Sequence, residues 1–369
     1  MNKTRNIAVL TVARSDFGRL LPTLKLLELE PQFHLKLLVS GNHCQDKFGN
    51  SIAEVEANGF TPTAILEAGT GSESEKAARI LELTGKWLTE NKTDYLILLG
   101  DRYEMLAAAQ AAILTQVPII HIGGGYQTTG AIDDQIRQAL TSLSKYHIVA
   151  SKKCQERVLA IGAPKQNVQL FGAPDLEILS KIPLQTKPQF CLELGLDPNR
   201  QFCLITFHPE TGANFEQNKA YMKNVTDFLS SIDQQLLITA PCADPGASSI
   251  FKMIDEVKNK KPNTIFIENL GIERYVNAMR HSVCMIGNSS SGIIESASMN
   301  LAVLNIGCRQ GGREQSGNVI NTSFELHEMS DGFKVAISES FQERCQTVKN
   351  VYGEGDFSRR FIDFLKKSC

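Results

Sequence analysis

Ile7-Ala-Val-Leu-Thr-Val12 is a run of apolar, largely β-branched residues that breaks into Arg14-Ser-Asp16 and is followed by a long amphipathic stretch. A continuous apolar run of that length suits a strand buried on both faces, as in a parallel sheet covered by helices. The pattern recurs at Leu35–Val39, Tyr95–Leu99, Pro118–Ile122 and Tyr146–Ala150, with helical stretches between them, as right-handed βαβ crossovers need. After Phe171-Gly-Ala-Pro-Asp-Leu176 it restarts, with Phe202–Phe207, Gln235–Thr239, Thr264–Ile267, Val283–Ile286 and Val303–Ile306. The sequence therefore predicts an α/β protein of two Rossmann-like doubly wound domains, residues 1–172 and 173–369, with Pro174, Pro183, Pro188 and Pro198 around the boundary. Phe357–Lys367 reads as a final amphipathic helix, a candidate to pack back on the N-terminal domain. Open α/β sheets bind ligands beyond the C-terminal ends of their strands, so the expected active site is a cleft between the two domains.

Composition narrows the partners. The chain has 369 residues, 42% hydrophobic and 21% charged, near the averages for folded globular proteins and long enough for two cores. Lys and Arg total 38 against 40 Asp and Glu, so nothing electrostatic favours nucleic acid. No apolar run reaches the ~18 residues of a membrane span, and Arg14, Ser15 and Asp16 stand where a signal peptide needs small residues. A cytoplasmic location is the expectation. Nine cysteines without a Cys-x-x-Cys pair or nearby zinc-spaced histidines read as reduced, mainly buried small hydrophobes, Cys308 included, and no metal is expected.

The strongest local motif is Ile286-Gly-Asn-Ser-Ser-Ser-Gly-Ile-Ile-Glu295, where a strand breaks into hydroxyl residues and then a helix. Amides at that helix start, with the hydroxyls of Ser289, Ser290 and Ser291, would hold a phosphate. Capping by one serine needs no ligand, but three serines between two glycines exceed what a cap requires. Arg309-Gln-Gly-Gly-Arg-Glu314 follows another strand, and its glycines would let the backbone approach an anion that the two arginines could pair with. Asp101 follows the strand Tyr95–Leu99, and Asp133, Asp134 and Arg137 begin a helix. Asp101 and Asp133 are candidates to divide acid and base roles, with first-turn capping as the alternative for each. His208 follows a second-half strand and Arg14 the first strand. The first strand is not followed by the glycine fingerprint of dinucleotide sites, and no Walker lysine motif occurs.

Taken together, Arg14-Ser-Asp-Phe-Gly18, Gly41-Asn-His43, Gly100-Asp-Arg102, His121-Ile-Gly-Gly-Gly125, Gly130-Ala-Ile-Asp-Asp-Gln-Ile-Arg137, His208-Pro209, Gly287-Asn-Ser-Ser-Ser-Gly292, Arg309-Gln-Gly-Gly-Arg-Glu314 and Tyr352-Gly-Glu-Gly355 resemble the UDP-N-acetylglucosamine 2-epimerase family, and more closely its hydrolysing branch, which feeds sialic and legionaminic acid synthesis. The resemblance implies a glycosyltransferase-B-like pair of domains, a UDP-sugar substrate held mainly by the second domain, a homodimer, and no metal or nicotinamide cofactor. It assigns acid–base work to Asp101 and Asp133, leaving-group stabilisation to His208, and the diphosphate to Arg14, Ser290 and Ser291. Glu295 falls to a ribose hydroxyl and Arg309 and Arg313 to the nucleotide or loop closure, with His43, Arg137, Asn288, Ser289 and Gly292 also on the binding side. The implied reaction is anti elimination of UDP to a 2-acetamidoglycal, then hydration to a free mannosamine-type sugar.

The chain departs from the family pattern at Gly123 and Tyr126, where many relatives carry acidic residues, and at Gln138, where a histidine is common. These departures keep open a remodelled pocket for a 4-acetamido-6-deoxy sugar, N,N'-diacetylbacillosamine linked to UDP or GDP, or a silent UDP-sugar binder. A glycosyltransferase and a non-hydrolysing epimerase also suit the same architecture.

Overall fold

The structure is a computed structural model that describes residues 4–45, 51–127, 132–210, 213–241 and 246–368. The chain divides into two compact units, one made of residues 1–126, 131–178 and 352–369, the other of residues 127–130 and 179–351. The first contains β1 (Arg5–Thr11), β2 (Phe33–Ser40), β3 (Ala64–Leu66), β4 (Tyr95–Leu99), β5 (Ile119–Ile122), β6 (Tyr146–Val149) and β7 (Val168–Leu170). They form one sheet in the order β3-β2-β1-β4-β5-β6-β7, and every pairing is parallel. The second contains β8 (Phe202–Thr206), β9 (Gln235–Thr239), β10 (Ile265–Ile267), β11 (Cys284–Gly287), β12 (Ala302–Ile306) and β13 (Val319–Thr322). Its order is β10-β9-β8-β11-β12-β13, again all parallel. Each sheet thus reverses its winding once, between β1 and β4 and between β8 and β11, the place where doubly wound folds open for ligands.

All ten apolar runs read from the sequence form strands. The three strands that were not anticipated, β3, β7 and β13, each lie at a sheet edge. An edge strand pairs on one side only and needs no continuous apolar run. Their burial is accordingly partial, with only Leu66 and Val168 fully buried among them.

The central strands are buried on both faces, as in β8, where all five residues are buried. In the first unit, Ile7, Val9, Ile97 and Ile120 face one core with Phe17, Leu20 and Leu24 of the helix Arg14–Leu29, while Ala8, Leu10, Leu96 and Leu98 face another with Met105, Ala108 and Ala112. The final helix Phe357–Ser368 adds Phe357, Phe361, Ile362, Phe364 and Leu365 to the first of these cores. At about 1.5–3 kcal/mol per buried large apolar side chain, those five residues are reason enough for the chain to return to this unit.

The division after Ile178, rather than at residue 172, has a local cause. Ala173 N donates to Tyr352 O at 2.7 Å, Asp175 pairs with Arg19 at 2.9 Å, and Glu177 accepts from Ser358 N at 2.8 Å. Among the described residues, no helix is long and apolar enough to cross a membrane, and no group of three or more His, Cys, Asp or Glu side chains could hold a metal ion. Of the described cysteines, five are buried, Cys44 is intermediate and Cys308 is exposed, so the expected burial does not extend to Cys308.

Candidate active site

In the first unit the strand ends converge on a buried arginine. β4 ends at Leu99, Gly100 turns the chain with φ +89°, and Asp101 follows with its side chain 30% exposed. The helix Ile132–Leu143 carries Arg137 inward on its buried face, where the side chain is only 4% exposed. Its guanidinium pairs with the carboxylates of Asp101 and Asp134 and donates to Tyr126 O at 2.9 Å. A buried guanidinium costs several kcal/mol to desolvate, so it stays in the fold only with such partners around it. Asp133 is half-buried one residue away, and burial, then the negative charge of Asp101, raises its pKa. Asp101, Asp133 and Arg137 are therefore brought together, with Asp101 held by an ion pair and the carboxyl of Asp133 shifted upward by its surroundings.

The groups around this cluster are mostly buried, and each has its own hydrogen-bond partner. His121 of β5 reaches Gly100 O with Nε2 at 2.8 Å, which holds the peptide before Asp101, and burial lowers its pKa to about 4. Arg102 donates twice to the fully buried Glu104, at 2.7 and 3.1 Å. Asp16 accepts from Val12 N at 2.7 Å and from Thr11 Oγ1 at 3.4 Å, and burial raises its pKa to about 6 against the opposing pull of Arg102 and Arg19.

His43, assigned from the sequence to substrate binding, is instead a fully buried core residue. Its Nε2 lies 3.0 Å from Thr11 Oγ1 and its Nδ1 2.7 Å from Ser51 Oγ, so both ring nitrogens are occupied, and burial lowers its pKa to about 4. Arg14 does stand at the surface, 56% exposed at the start of its helix, with Glu54 at 3.1 Å.

In the second unit the candidate residues gather after β8, β11 and β12. Gly287 has φ +142°, and a Cβ there would lie 1.9 Å from Thr206 O, so only glycine lets β11 run this close to β8 before the serines. Ser290 occupies the N-cap position without a side-chain capping bond, which removes the capping explanation for it. The helix it opens, Ser291–Ile294, has four residues, too short to carry the dipole that the sequence reading invoked. What remains is a row of half-exposed hydroxyls, with Ser291 Oγ 3.1 Å from Ser289 Oγ and 2.5 Å from the Tyr275 hydroxyl. Desolvation, then the charge of Glu295, pushes the Tyr275 phenol up to about 12, so it remains a donor at neutral pH.

Asn288 and Gly292 act in the scaffold. Asn288 is buried, its amide accepting from His208 N at 2.7 Å and donating to His208 O at 2.9 Å. This clamp fixes the buried His208 relative to the serines. A Cβ on Gly292 would lie 3.2 Å from Val303, so this glycine serves close packing of the short helix on β12. Glu295 is half-buried beside Tyr275. Asn288 O accepts from Gln310 Nε2 at 2.8 Å and from Arg309 Nη1 at 3.4 Å, which joins the loop of Arg309 and Arg313 to the serine segment.

Sequence reasoning passed over Tyr275, which no motif spacing marks and whose hydroxyl meets Ser291 only through the tertiary fold. Asp16 and Gln310 stood inside quoted motifs, and Glu104 and Glu210 lie two and one residues beyond Gly100-Asp-Arg102 and His208-Pro209, but their burial was not legible there.

The comparisons with known proteins agree with this architecture. A family model described as UDP-N-acetylglucosamine 2-epimerase matches residues 25–366. The chain is 32% identical over 367 residues to the UDP-N,N'-diacetylbacillosamine 2-epimerase (hydrolyzing) of Legionella pneumophila, covering 98% of this chain and 96% of that protein. It is 27% identical over 336 residues to a UDP-N-acetylglucosamine 2-epimerase of Neisseria meningitidis, covering 90% and 88%. The crystal structure of a putative UDP-N-acetylglucosamine 2-epimerase from Listeria monocytogenes superposes with a TM-score of 0.80 at 15% identity, over 99% of this chain and 96% of that one. That likeness, with the two parallel sheets, bears out the expected glycosyltransferase-B-like pair of Rossmann-like domains. On the extent of the family match and the identity to its relatives, the chain belongs to the UDP-N-acetylglucosamine 2-epimerase family.

Proposed function

We propose that this protein is a hydrolysing 2-epimerase of a UDP-linked 2-acetamido sugar, releasing UDP and the free C2-inverted sugar. The observation that carries this reading is the Asp101–Arg137–Asp133 cluster, in which one carboxylate is ion-paired and its neighbour has a raised pKa. Carboxylates in such different settings can divide base and acid roles at one pH.

The chemistry fixes the order of events. The C2 proton is not acidic, so the C1–O bond to UDP must break first, its electron pair leaving with the diphosphate. A carboxylate then takes the C2 proton, and the C–H pair becomes the C1=C2 bond of a 2-acetamidoglycal. Proton return to the opposite face of C2 and addition of water at C1 complete the inversion, with one water consumed. Developing charge on the departing diphosphate needs donors already in place. In this proposal Ser290, Ser291, Arg14 and the loop arginines Arg309 and Arg313 supply them, His208 assists the leaving group, and Glu295 takes the ribose. Asn288 and Arg137 position these groups.

Two sugars fit the reading, N-acetylglucosamine and its 4-acetamido-6-deoxy relative, N,N'-diacetylbacillosamine. The second is favoured by the higher identity to the Legionella enzyme, 32% against 27% for the Neisseria enzyme. Proton NMR of the enzyme with each UDP-sugar in D2O tests both levels. Free sugar carrying deuterium at C2 is expected, faster from the diacetylated substrate. Epimerised UDP-sugar without free sugar would move the chain to the non-hydrolysing type, and UDP binding without turnover of either sugar would make it a binder.

A further inference from the structure

Glu210 lies two residues beyond His208 and is buried, yet the reaction scheme gives it no task. Its backbone is held at both ends by Asn218 of the helix Phe215–Ser231, whose side chain accepts from Glu210 N at 3.0 Å and donates to Glu210 O at 3.2 Å. Its carboxylate crosses to the loop after β12. There Oε1 accepts from two successive amides, Cys308 N and Arg309 N, each at 3.1 Å, and Oε2 accepts from Cys308 Sγ at 3.3 Å. Room for this comes from Gly307, whose φ is +87° and where a Cβ would lie 2.3 Å from Glu210 Oε1.

Two successive amides converging on one oxygen are the arrangement by which backbone loops hold anions. Here the anion is internal. The same loop carries Arg309 and Gln310, which reach back to Asn288 O, while the Asn288 side chain clamps His208. The segments after β8, β11 and β12 are therefore closed into one ring of bonds, and Glu210 is the member that joins the first to the third.

We propose that Glu210 is a positioning residue for nucleotide binding: its carboxylate occupies the amide pair of the Cys308–Arg309 turn and so aims Arg309 and Arg313 at the diphosphate. This rests on the UDP-sugar reading above. Without the carboxylate, the two amides are free to turn to solvent or to phosphate, and the arginines lose their anchor. The geometry also specifies which replacements work. Glutamine keeps an oxygen at the same reach for both amides and offers an N–H toward the Cys308 sulfur. Aspartate is one carbon short, and alanine removes the acceptor.

The test is UDP affinity by calorimetry on the full-length chain, with amide hydrogen exchange of Cys308 and Arg309 measured without nucleotide. Loss of a buried pair of hydrogen bonds predicts about tenfold weaker UDP binding for Glu210→Ala and Glu210→Asp, with Glu210→Gln, which keeps the acceptor, within about twofold of the parent. Faster exchange at Cys308 and Arg309 should accompany the first two and not the third. Ala and Asp variants that fold, bind UDP as tightly as the parent and differ only in melting temperature overturn the proposal and leave the function untouched. A glutamine variant as weak as alanine also overturns it, because the effect would then follow charge and not the reach of the acceptor. A parent that binds no UDP overturns the functional reading itself, a result distinct from either.

Discussion

At the ends of β1, β2, β4 and β5 the first unit gathers Asp16, His43, Asp101, His121, Asp133 and Arg137, whereas at the ends of β8, β11 and β12 the second gathers Asn288, three serines, Tyr275 and a braced loop. Both sheets are parallel and both reverse their winding once, so the scaffolds are alike. Their furnishing is not. Asp16, His43, His121 and, across from His121 on β6, His147 have pKa values displaced to between about 4 and 6, and these four lie in the first unit. In the second, the shifted group nearest the serines is Tyr275, pushed up to about 12 and so kept protonated at neutral pH. In the proposed reaction the first unit supplies the acid–base carboxylates and the second the donors for the departing diphosphate, a division suited to an elimination.

The largest expected effect breaks one side of that contrast alone. Asp101→Asn leaves Arg137 a neutral partner and removes a base or acid, so turnover measured as UDP release should fall at least ~100-fold, the usual scale for such a group. UDP affinity should stay within about twofold. Near-parental turnover would take Asp101 out of the chemistry, and an equal loss of UDP affinity would dissolve the division of labour between the units.

Next in size is the converse. Ser290→Ala together with Ser291→Ala removes two hydroxyls, one of them bonded to Tyr275, and should weaken UDP binding by about tenfold at the scale of one or two net hydrogen bonds. Unchanged calorimetric affinity would count against the serine row as the phosphate site. Tyr275→Phe sharpens the point: a loss of a few-fold is expected if the phenol orients Ser291, and none if the ring only packs.

How much of this was legible beforehand follows the same contrast. Strands buried on both faces must be apolar throughout, so the interior of each sheet was readable as continuous runs, while the half-exposed edge strands β3, β7 and β13 left no such mark. The serine row was readable because three hydroxyl residues between glycines are unusual next to a strand. The roles of Asn288, Gly292 and His43 were not. Each lies in a motif that resembles a binding motif, yet whether a side chain reaches solvent or turns into the scaffold depends on partners such as His208, Val303, Thr11 and Ser51 at distances along the chain that no spacing rule encodes.

Smaller effects concern stability against pH. His147 has a pKa lowered to about 4 from 6.5, chiefly by burial and then by His121, so the folded state takes up fewer protons than the unfolded chain between those values. Its contribution is therefore present above pH 6.5 and lost as pH falls through the window toward 4. Urea unfolding should show stability declining from pH 7 to pH 5, and His147→Phe should reduce that decline by about 1 kcal/mol, the order expected for one such group over this range. An unchanged slope would mean that His147 titrates normally in the fold.

Asp16 works in the opposite sense and by less. Its pKa is raised from 3.8 to about 6, so the folded state binds the extra proton, and the stability linked to it is present below 3.8 and lost as pH rises through about 6. Between pH 5 and pH 7 only the upper part of that change remains, and its second carboxyl oxygen is buried with no hydrogen-bond partner, the signature of a group that pays desolvation when ionised. Asp16→Asn keeps an oxygen for Val12 N and never ionises, so it should leave stability near pH 4 little changed and raise it at pH 7 by up to about 1 kcal/mol. The variant should then lose more stability than the parent on going from pH 7 to pH 5, because the histidines would act there unopposed. A parallel pair of stability profiles would show instead that Asp16 is ionised in the fold, with Arg102 and Arg19 outweighing its burial.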